Sequence, residues 1–328
     1  MRKIIKVLSL VLCLMILTSL FTACTESSSG TAKTSTSDKP LSGKKIGVSL
    51  YYKGDEWYVN MDKEFKEQGA ALGAEMIIQD ANASPETQQA QLENFVTQQC
   101  DMIMFCAVDP EGIGTTLDSI AGKNIPIVGF DEPPVWDDLV SFVAWDNYKT
   151  GVEMGKYVRK YIDEKKGGKA NIVIFNLAQS PLCMSRAEGF KEGLGDMGSN
   201  IKIIAEQDPE NNEEKASNMI TNIKEPFDIV FTVTDPGAFG AVAALEAMGA
   251  SKDIKVFSCG GYGEKTYNLL KDQNPYYEAV VVIPPAELVK SLMDIAVKYF
   301  EGKASEIPKR VDCNFEIADK NNYKSLEP

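Results

Sequence analysis

The stretch Ile125-Pro126-Ile127-Val128-Gly129-Phe130-Asp131-Glu132-Pro133-Pro134 runs a mostly apolar segment straight into two carboxylates and two prolines. A continuous apolar run bounded by turn residues reads as a strand buried on both faces, the kind that parallel sheets contain. The prolines end it, because neither can donate to a ladder. Asp131 and Glu132 are thereby expected at the carboxyl end of a parallel strand, where open α/β sheets bind ligands. The alternative is an acidic pair capping a surface turn.

The chain on either side alternates in the same way. Strands are predicted over 44–50, 75–79, 102–107, 140–144, 170–177, 201–205, 227–233, 254–258 and 278–283, with a last strand over 311–317. Between them lie helical patterns over 57–72, from 85 onward after the cap Ser84, and over 111–121, 147–163, 182–197, 212–224, 237–248, 264–271 and 285–300. Alternating βα units make a parallel sheet with helices on both faces and right-handed crossovers. About ten strands in two sets predict an α/β fold of two doubly wound lobes. A TIM barrel, with its eight βα units around one core, ranks second.

Composition narrows the function. The 328 residues hold 34 basic and 47 acidic side chains and no histidine. Histidine triads, histidine metal sites and imidazole switching are excluded. The negative field opposes nucleic acid and anionic membrane surfaces as partners. Met1 to Lys6 is basic, Val7 to Leu17 is mostly apolar, and small or polar residues lead to Cys24, the layout of a signal peptide at 1–23. Its end, Leu20-Phe21-Thr22-Ala23-Cys24, resembles a bacterial lipobox, which implies cleavage before Cys24 and a lipid on its thiol. A polar, small-residue leash is expected over 24–43. The five further cysteines of the mature chain, Cys100, Cys106, Cys183, Cys259 and Cys313, are an odd and scattered set. They form neither a disulfide framework nor a CxxC zinc site, and no cofactor or metal is expected.

Six segments carry a resemblance. They are Tyr51 to Tyr58 after the first strand, Phe105 to Pro110 after the third, Gly129 to Glu132 after the fourth, Arg186 to Phe190, Thr234-Asp235, and Ser258 to Gly261. In this order they resemble the type I periplasmic sugar-binding proteins, most closely the arabinose- and ribose-binding branch. The resemblance implies two flavodoxin-like lobes joined by three crossing segments near Trp145, Ile283 and Pro308. One lobe is expected over 44–145 plus 284–307, the other over 146–283 plus 308–328. A ligand is expected in the cleft between them, buried by hinge closure.

A sugar presents hydroxyls and a patch of C–H bonds, so its site needs carboxylate acceptors, a forked donor and aromatic faces. By resemblance the candidates are Asp131 and Glu132 as the acidic pair, Asp55 as a carboxylate and Trp57 as a stacking ring. Tyr51 stands where a polar contact is usual, and Cys106 matches a pocket-lining cysteine, with a small buried hydrophobe as its other reading. Trp145 is expected at a crossing, Arg186 as a fork donor, and Thr234 and Asp235 at a strand end. Gly260 and Ile283 depart from the family pattern, since polar ligand residues are usual at both positions.

These features imply an extracytoplasmic, monomeric solute-binding protein that hands a sugar or polyol to an ABC permease and is held to the membrane through Cys24. A sensor that docks the loaded protein on a membrane kinase or chemoreceptor is the alternative. A surface glycoside hydrolase using Asp131 with Glu132 or Asp235 is a distant third. There is no Gly-x-Ser-x-Gly elbow, P-loop or metal motif.

Overall fold

In the computed structural model, which describes residues 39–326, the organising apolar run becomes strand β4 (Ile127–Phe130), buried along its whole length. It lies in a six-stranded sheet with β1 (Lys45–Leu50), β2 (Glu75–Asp80), β3 (Met102–Phe105), β5 (Ser141–Ala144) and β11 (Arg310–Asp312). The strand order is β2-β1-β3-β4-β5-β11, and every pairing is parallel. The second sheet holds β6 (Ala170–Phe175), β7 (Ile201–Gln207), β8 (Ile229–Thr232), β9 (Lys255–Gly261), β10 (Tyr277–Val282) and β12 (Glu316–Asp319). Its order, β7-β6-β8-β9-β10-β12, repeats that of the first, with β12 antiparallel to β10. Two doubly wound α/β sheets are therefore present, and the barrel is not. In each, the order reverses at the first strand of the set, β1 or β6, the position at which such sheets bind ligands.

Alternation within the strands sorts the core. Met102 and Met104 of β3 face one apolar cluster, and Ile103 and Phe105 the other. In β6, Ile172 and Ile174 divide from Val173 and Phe175 in the same way. Both faces of each sheet are thus covered, as a parallel sheet requires.

Nine α-helices are found among the described residues: α1 (Glu56–Leu72), α2 (Pro85–Thr97), α3 (Gly114–Ala121), α4 (Asn147–Lys165), α5 (Pro181–Leu194), α6 (Glu213–Asn222), α7 (Asp235–Ala247), α8 (Glu264–Lys271) and α9 (Pro285–Phe300). Their ends follow the sequence signals. Ser84 caps α2 by accepting from the Thr87 N–H at 3.2 Å, with Pro85 at the first position. Gly73 ends α1 with φ +89°. None of the helices among the described residues is long and apolar enough to cross a membrane.

Two expectations at the chain's ends are corrected. The single strand expected over 311–317 is two strands, β11 in the first sheet and β12 in the second. The third passage between the sheets therefore runs through 313–315 and not near Pro308. Sequence missed the break because both short strands carry alternating residues and no glycine or proline separates them. Leu41, expected in the leash, is fully buried, and its N–H donates to the Leu72 carbonyl at 2.9 Å. The expected signal peptide, Cys24 and the leash up to residue 38 lie outside the described residues.

Helices α4 and α5 approach each other through glycine. A Cβ on Gly151 would sit inside the Arg186 carbonyl oxygen, one on Gly155 inside that of Phe190, one on Gly189 inside that of Tyr148 and one on Gly193 inside that of Val152. The spacing of four on each helix puts both pairs on one face. The close approach brings the start of α4 beside the start of α5, which builds one wall of the site.

Candidate functional site

A cavity of about 660 Å³ lies between the carboxyl ends of the two sets of strands. Tyr51, Asp55, Trp57, Asp131, Glu132 and Trp145 line it from the first sheet and its helices. Arg186, Thr234, Asp235 and Gly260 line it from the second. Of the sequence-derived candidates, Cys106 alone does not reach the cavity surface.

Asp131 leaves β4 in the left-handed region, φ +60°. That turn carries its carboxylate back toward α1, where Oδ2 accepts the Tyr58 hydroxyl at 2.6 Å and the Cys106 thiol at 3.6 Å. Cys106 thus sits behind the acid as a donor and does not form pocket wall. Burial pushes the Asp131 carboxyl above the usual aspartate range, while Tyr58, Arg186 and Cys106 pull it back. Glu132 follows on the same loop and is pushed up to about 7, by burial first and by Asp131 second. Tyr58 escaped the sequence reading. Helical spacing marks its neighbour Trp57 as core-facing, and only the fold shows that the next position reaches the acid.

Asp55 caps α1, its Oδ1 accepting the Trp57 N–H at 2.9 Å. Burial raises its carboxyl, and that hydrogen bond opposes the shift. Trp57 is both core and wall: its indole N–H donates to the Ile283 carbonyl at 2.8 Å, and its ring meets Trp145 edge-on with centroids 5.4 Å apart. The two tryptophans therefore tie the cavity floor to two of the segments that pass between the sheets. Tyr51 lies nearly parallel to Tyr58, centroids 6.1 Å apart, and adds an aromatic face.

Arg186 is a buried guanidinium, 7% exposed. Its Nε donates to Asn147 Oδ1 at 2.8 Å and its Nη1 to the Val233 carbonyl at 2.9 Å. Asn147, which sequence reasoning also missed, accepts from Trp145 Nε1 at 3.2 Å as well. The fork is thus fixed on one side, and its Nη2 makes no hydrogen bond among the described residues. Gly260 explains its own departure from the family pattern. Its φ is +83°, and a Cβ there would stand 2.6 Å from Arg186 Nη1. Any side chain at 260 would be strained and would displace the guanidinium.

Asp235 is less free than its position implies. Its Oδ1 accepts from Ser258 at 2.8 Å and its Oδ2 from Thr266 at 2.6 Å, which pins the first residue of α7 to β9 and to α8. Burial raises its carboxyl to about 6 against those two hydroxyls. Folding therefore takes up a proton between the unfolded aspartate value of 3.8 and about 6. Stability is fully present below the lower value, declines as pH rises through the upper one, and then levels off. The loss is on the order of 3 kcal/mol. The upward shift of Glu132 acts with the same sign. The ligand-free protein is expected to melt at lower temperature at pH 7.5 than at pH 5, with a shallower slope in Asp235→Asn. Parallel pH profiles for parent and variant would refute this.

Among the described residues no group of three histidine, cysteine, aspartate or glutamate side chains stands where it could hold a metal ion.

The chain is similar to known proteins over most of its length. A family model described as a periplasmic binding protein domain matches residues 46–304. The ribose import binding protein of Salmonella typhimurium is 22% identical over 278 residues, covering 83% of this chain and 90% of that protein. A periplasmic solute-binding protein of an ABC transporter from Actinobacillus succinogenes, solved with bound D-allose, superposes with a TM-score of 0.77 at 22% identity, covering 86% of this chain and 99% of that one. The fructose-binding periplasmic domain of a hybrid two-component system superposes with a TM-score of 0.73 at 23% identity, covering 86% and 93%.

Proposed function

The chain belongs to the periplasmic binding protein family, and from that premise we propose that it captures a sugar or related polyol in the cavity between its sheets and delivers it to an ABC permease. One observation carries the reading: carboxylates, a half-committed guanidinium and aromatic faces converge on a single cavity at the carboxyl ends of both sets of strands. Hydroxyls can donate to Asp131 and Glu132 and accept from Arg186, while C–H faces pack on Trp57 and Tyr51. The ribose and allose proteins reported above are the relatives that favour import. In this reading the protein works outside the cytoplasm as a monomer, without catalysis, and a lipid on Cys24 holds it at the membrane.

Calorimetry and thermal melting against a panel of monosaccharides and polyols test the proposal. One ligand is expected to bind at micromolar Kd or tighter and to raise Tm, since a ligand at 100 times its Kd adds about 2.7 kcal/mol. A panel with no binder would remove the proposal, and turnover of a bound glycoside would replace it with the hydrolase reading. Mass spectrometry of the mature protein reports whether Cys24 carries a lipid. The sensor reading keeps the same cavity, and the fructose-binding sensor domain favours it as the second choice. Binding of the loaded protein to a kinase ectodomain in place of a permease would select it.

One contact between the two halves fits the role of a latch in such a clamp. Glu56, at the start of α1, accepts the Glu264 N–H at the start of α8 at 2.7 Å, so a carboxylate of one half caps a helix of the other. Gly263 leaves it room, since a Cβ there would overlap the Glu56 carboxyl. An anionic cap on a helix N-terminus contributes about 0.5–2 kcal/mol. Glu56→Ala is expected to speed ligand release and weaken binding by roughly twofold to thirtyfold, with little change in the association rate. Stopped-flow release with an unchanged rate would show that the contact does not hold the halves together.

A further inference from the structure

Among the described residues the cavity wall carries six carboxylates, Asp55, Asp109, Glu111, Asp131, Glu132 and Asp235, against a single cation, Arg186. Among the described residues none of the six takes part in an ion pair, and neither does Arg186. Elsewhere a buried acid is paired: Asp62 on α1 is held by both Lys53 and Lys66. The partners inside the cavity are neutral donors. Asp55 takes a backbone N–H, as does Asp109 from Gly112 at 3.0 Å, Asp131 takes a phenol and a thiol, and Asp235 takes two hydroxyls. Glu132 takes no side-chain hydrogen bond at all among the described residues.

Such a wall suits a guest that brings positive charge. Closing on an uncharged polyol seals the carboxylates of Asp55, Asp131, Glu132 and Asp235 in a poorly solvated space, which costs free energy unless they take up protons, while Glu111 stays exposed. A ligand cation removes that cost and converts it into attraction. Tyr51, Tyr52, Trp57 and Tyr58 line the cavity together with Asp131 and Glu132, and a ring face turned to the ligand would also favour a cation. Arg186, on the opposite wall with an Nη2 that makes no hydrogen bond among the described residues, still calls for an oxygen acceptor. We propose that the cavity selects a polyhydroxylated ligand bearing a protonated amine, with the ammonium on the Asp131–Glu132 side and hydroxyls on the Arg186 side. This rests on the solute-binding reading above and names its ligand class.

Matched pairs test it. D-glucosamine against D-glucose, D-galactosamine against D-galactose, and an aminocyclitol against its parent inositol are titrated into the full mature chain at pH 7.5, with each N-acetyl derivative as the uncharged control. The amine member of at least one pair is expected to bind about tenfold or more tightly than its hydroxyl partner, an advantage of about 1.4 kcal/mol. N-acetylation is expected to abolish that advantage, and Glu132→Gln to reduce the ratio to within about threefold. Neutral members that bind as tightly as the amines, or more tightly, would overturn the amine assignment and leave the sugar-binding function standing. Failure of every member of every pair to bind would instead remove the function beneath it. Glu132→Gln folding is checked by its melting curve, and a ratio unchanged in a folded variant would also overturn the assignment.

Discussion

Arg186→Ala is expected to abolish most ligand affinity, raising Kd by roughly thirtyfold to a thousandfold, because loss of a buried charged donor costs about 2–4 kcal/mol. Two of its nitrogens are committed to Asn147 and the Val233 carbonyl, which orients the plane of the guanidinium. The third makes no hydrogen bond among the described residues, and Arg186 lines the cavity, so it can serve an acceptor on the ligand. Arg186→Lys separates charge from geometry. A lysine keeps the cation but cannot hold Asn147 and Val233 together while reaching the ligand, so most of the loss should persist. The ligand-free variant should also be destabilised by about 1–3 kcal/mol, since the Val233 carbonyl would be left buried without its donor. Full recovery of affinity in the lysine variant would show that charge alone matters and that the fork does not.

The largest effect on stability is expected from Gly189→Ala, a change of one methyl group. Its Cβ would sit inside the Tyr148 carbonyl oxygen on α4, and a backbone atom cannot rotate out of the way. Overpacking of this kind costs about 1–3 kcal/mol, and the rigid contact places it at the upper end. A chain of this size should then melt roughly 4–5 °C lower. Affinity should fall with it, because Arg186 lies one helical turn earlier on the face that would be pushed away from Asn147. Gly114→Ala is the contrasting case. A Cβ there meets nothing within 4 Å, so it should be neutral or slightly stabilising. Equal melting temperatures for the two variants would mean that α4 and α5 can slide apart freely.

Much of the fold was legible because local rules agree with the final architecture. Ser84-Pro85 and Pro284-Pro285 mark helix starts that the structure keeps, and α9 spans the residues that the pattern predicts. The 311–317 segment was misread because pairing partners, not local residues, decide which sheet a short edge strand joins. Among the candidate residues, those at strand ends could be placed from topology alone. Tyr58 and Asn147 could not, since each acts by reaching a residue far off in sequence: Asp131 is 73 positions from Tyr58, and Arg186 is 39 from Asn147.

The amino-acid sequence by itself determined the alternation of buried strands and capped helices, and with it two wound sheets whose carboxyl ends carry acids and aromatics. Periodicity and turn chemistry act over a few residues, so they can be read without a fold. Only the tertiary structure decided which of those side chains face the cavity and which spend their polar atoms elsewhere. Asp235 is tied to Ser258 and Thr266, Cys106 stands behind Asp131, and Gly260 is empty because Arg186 fills its space. Those assignments depend on the separation and orientation of atoms from distant segments, which no local pattern encodes.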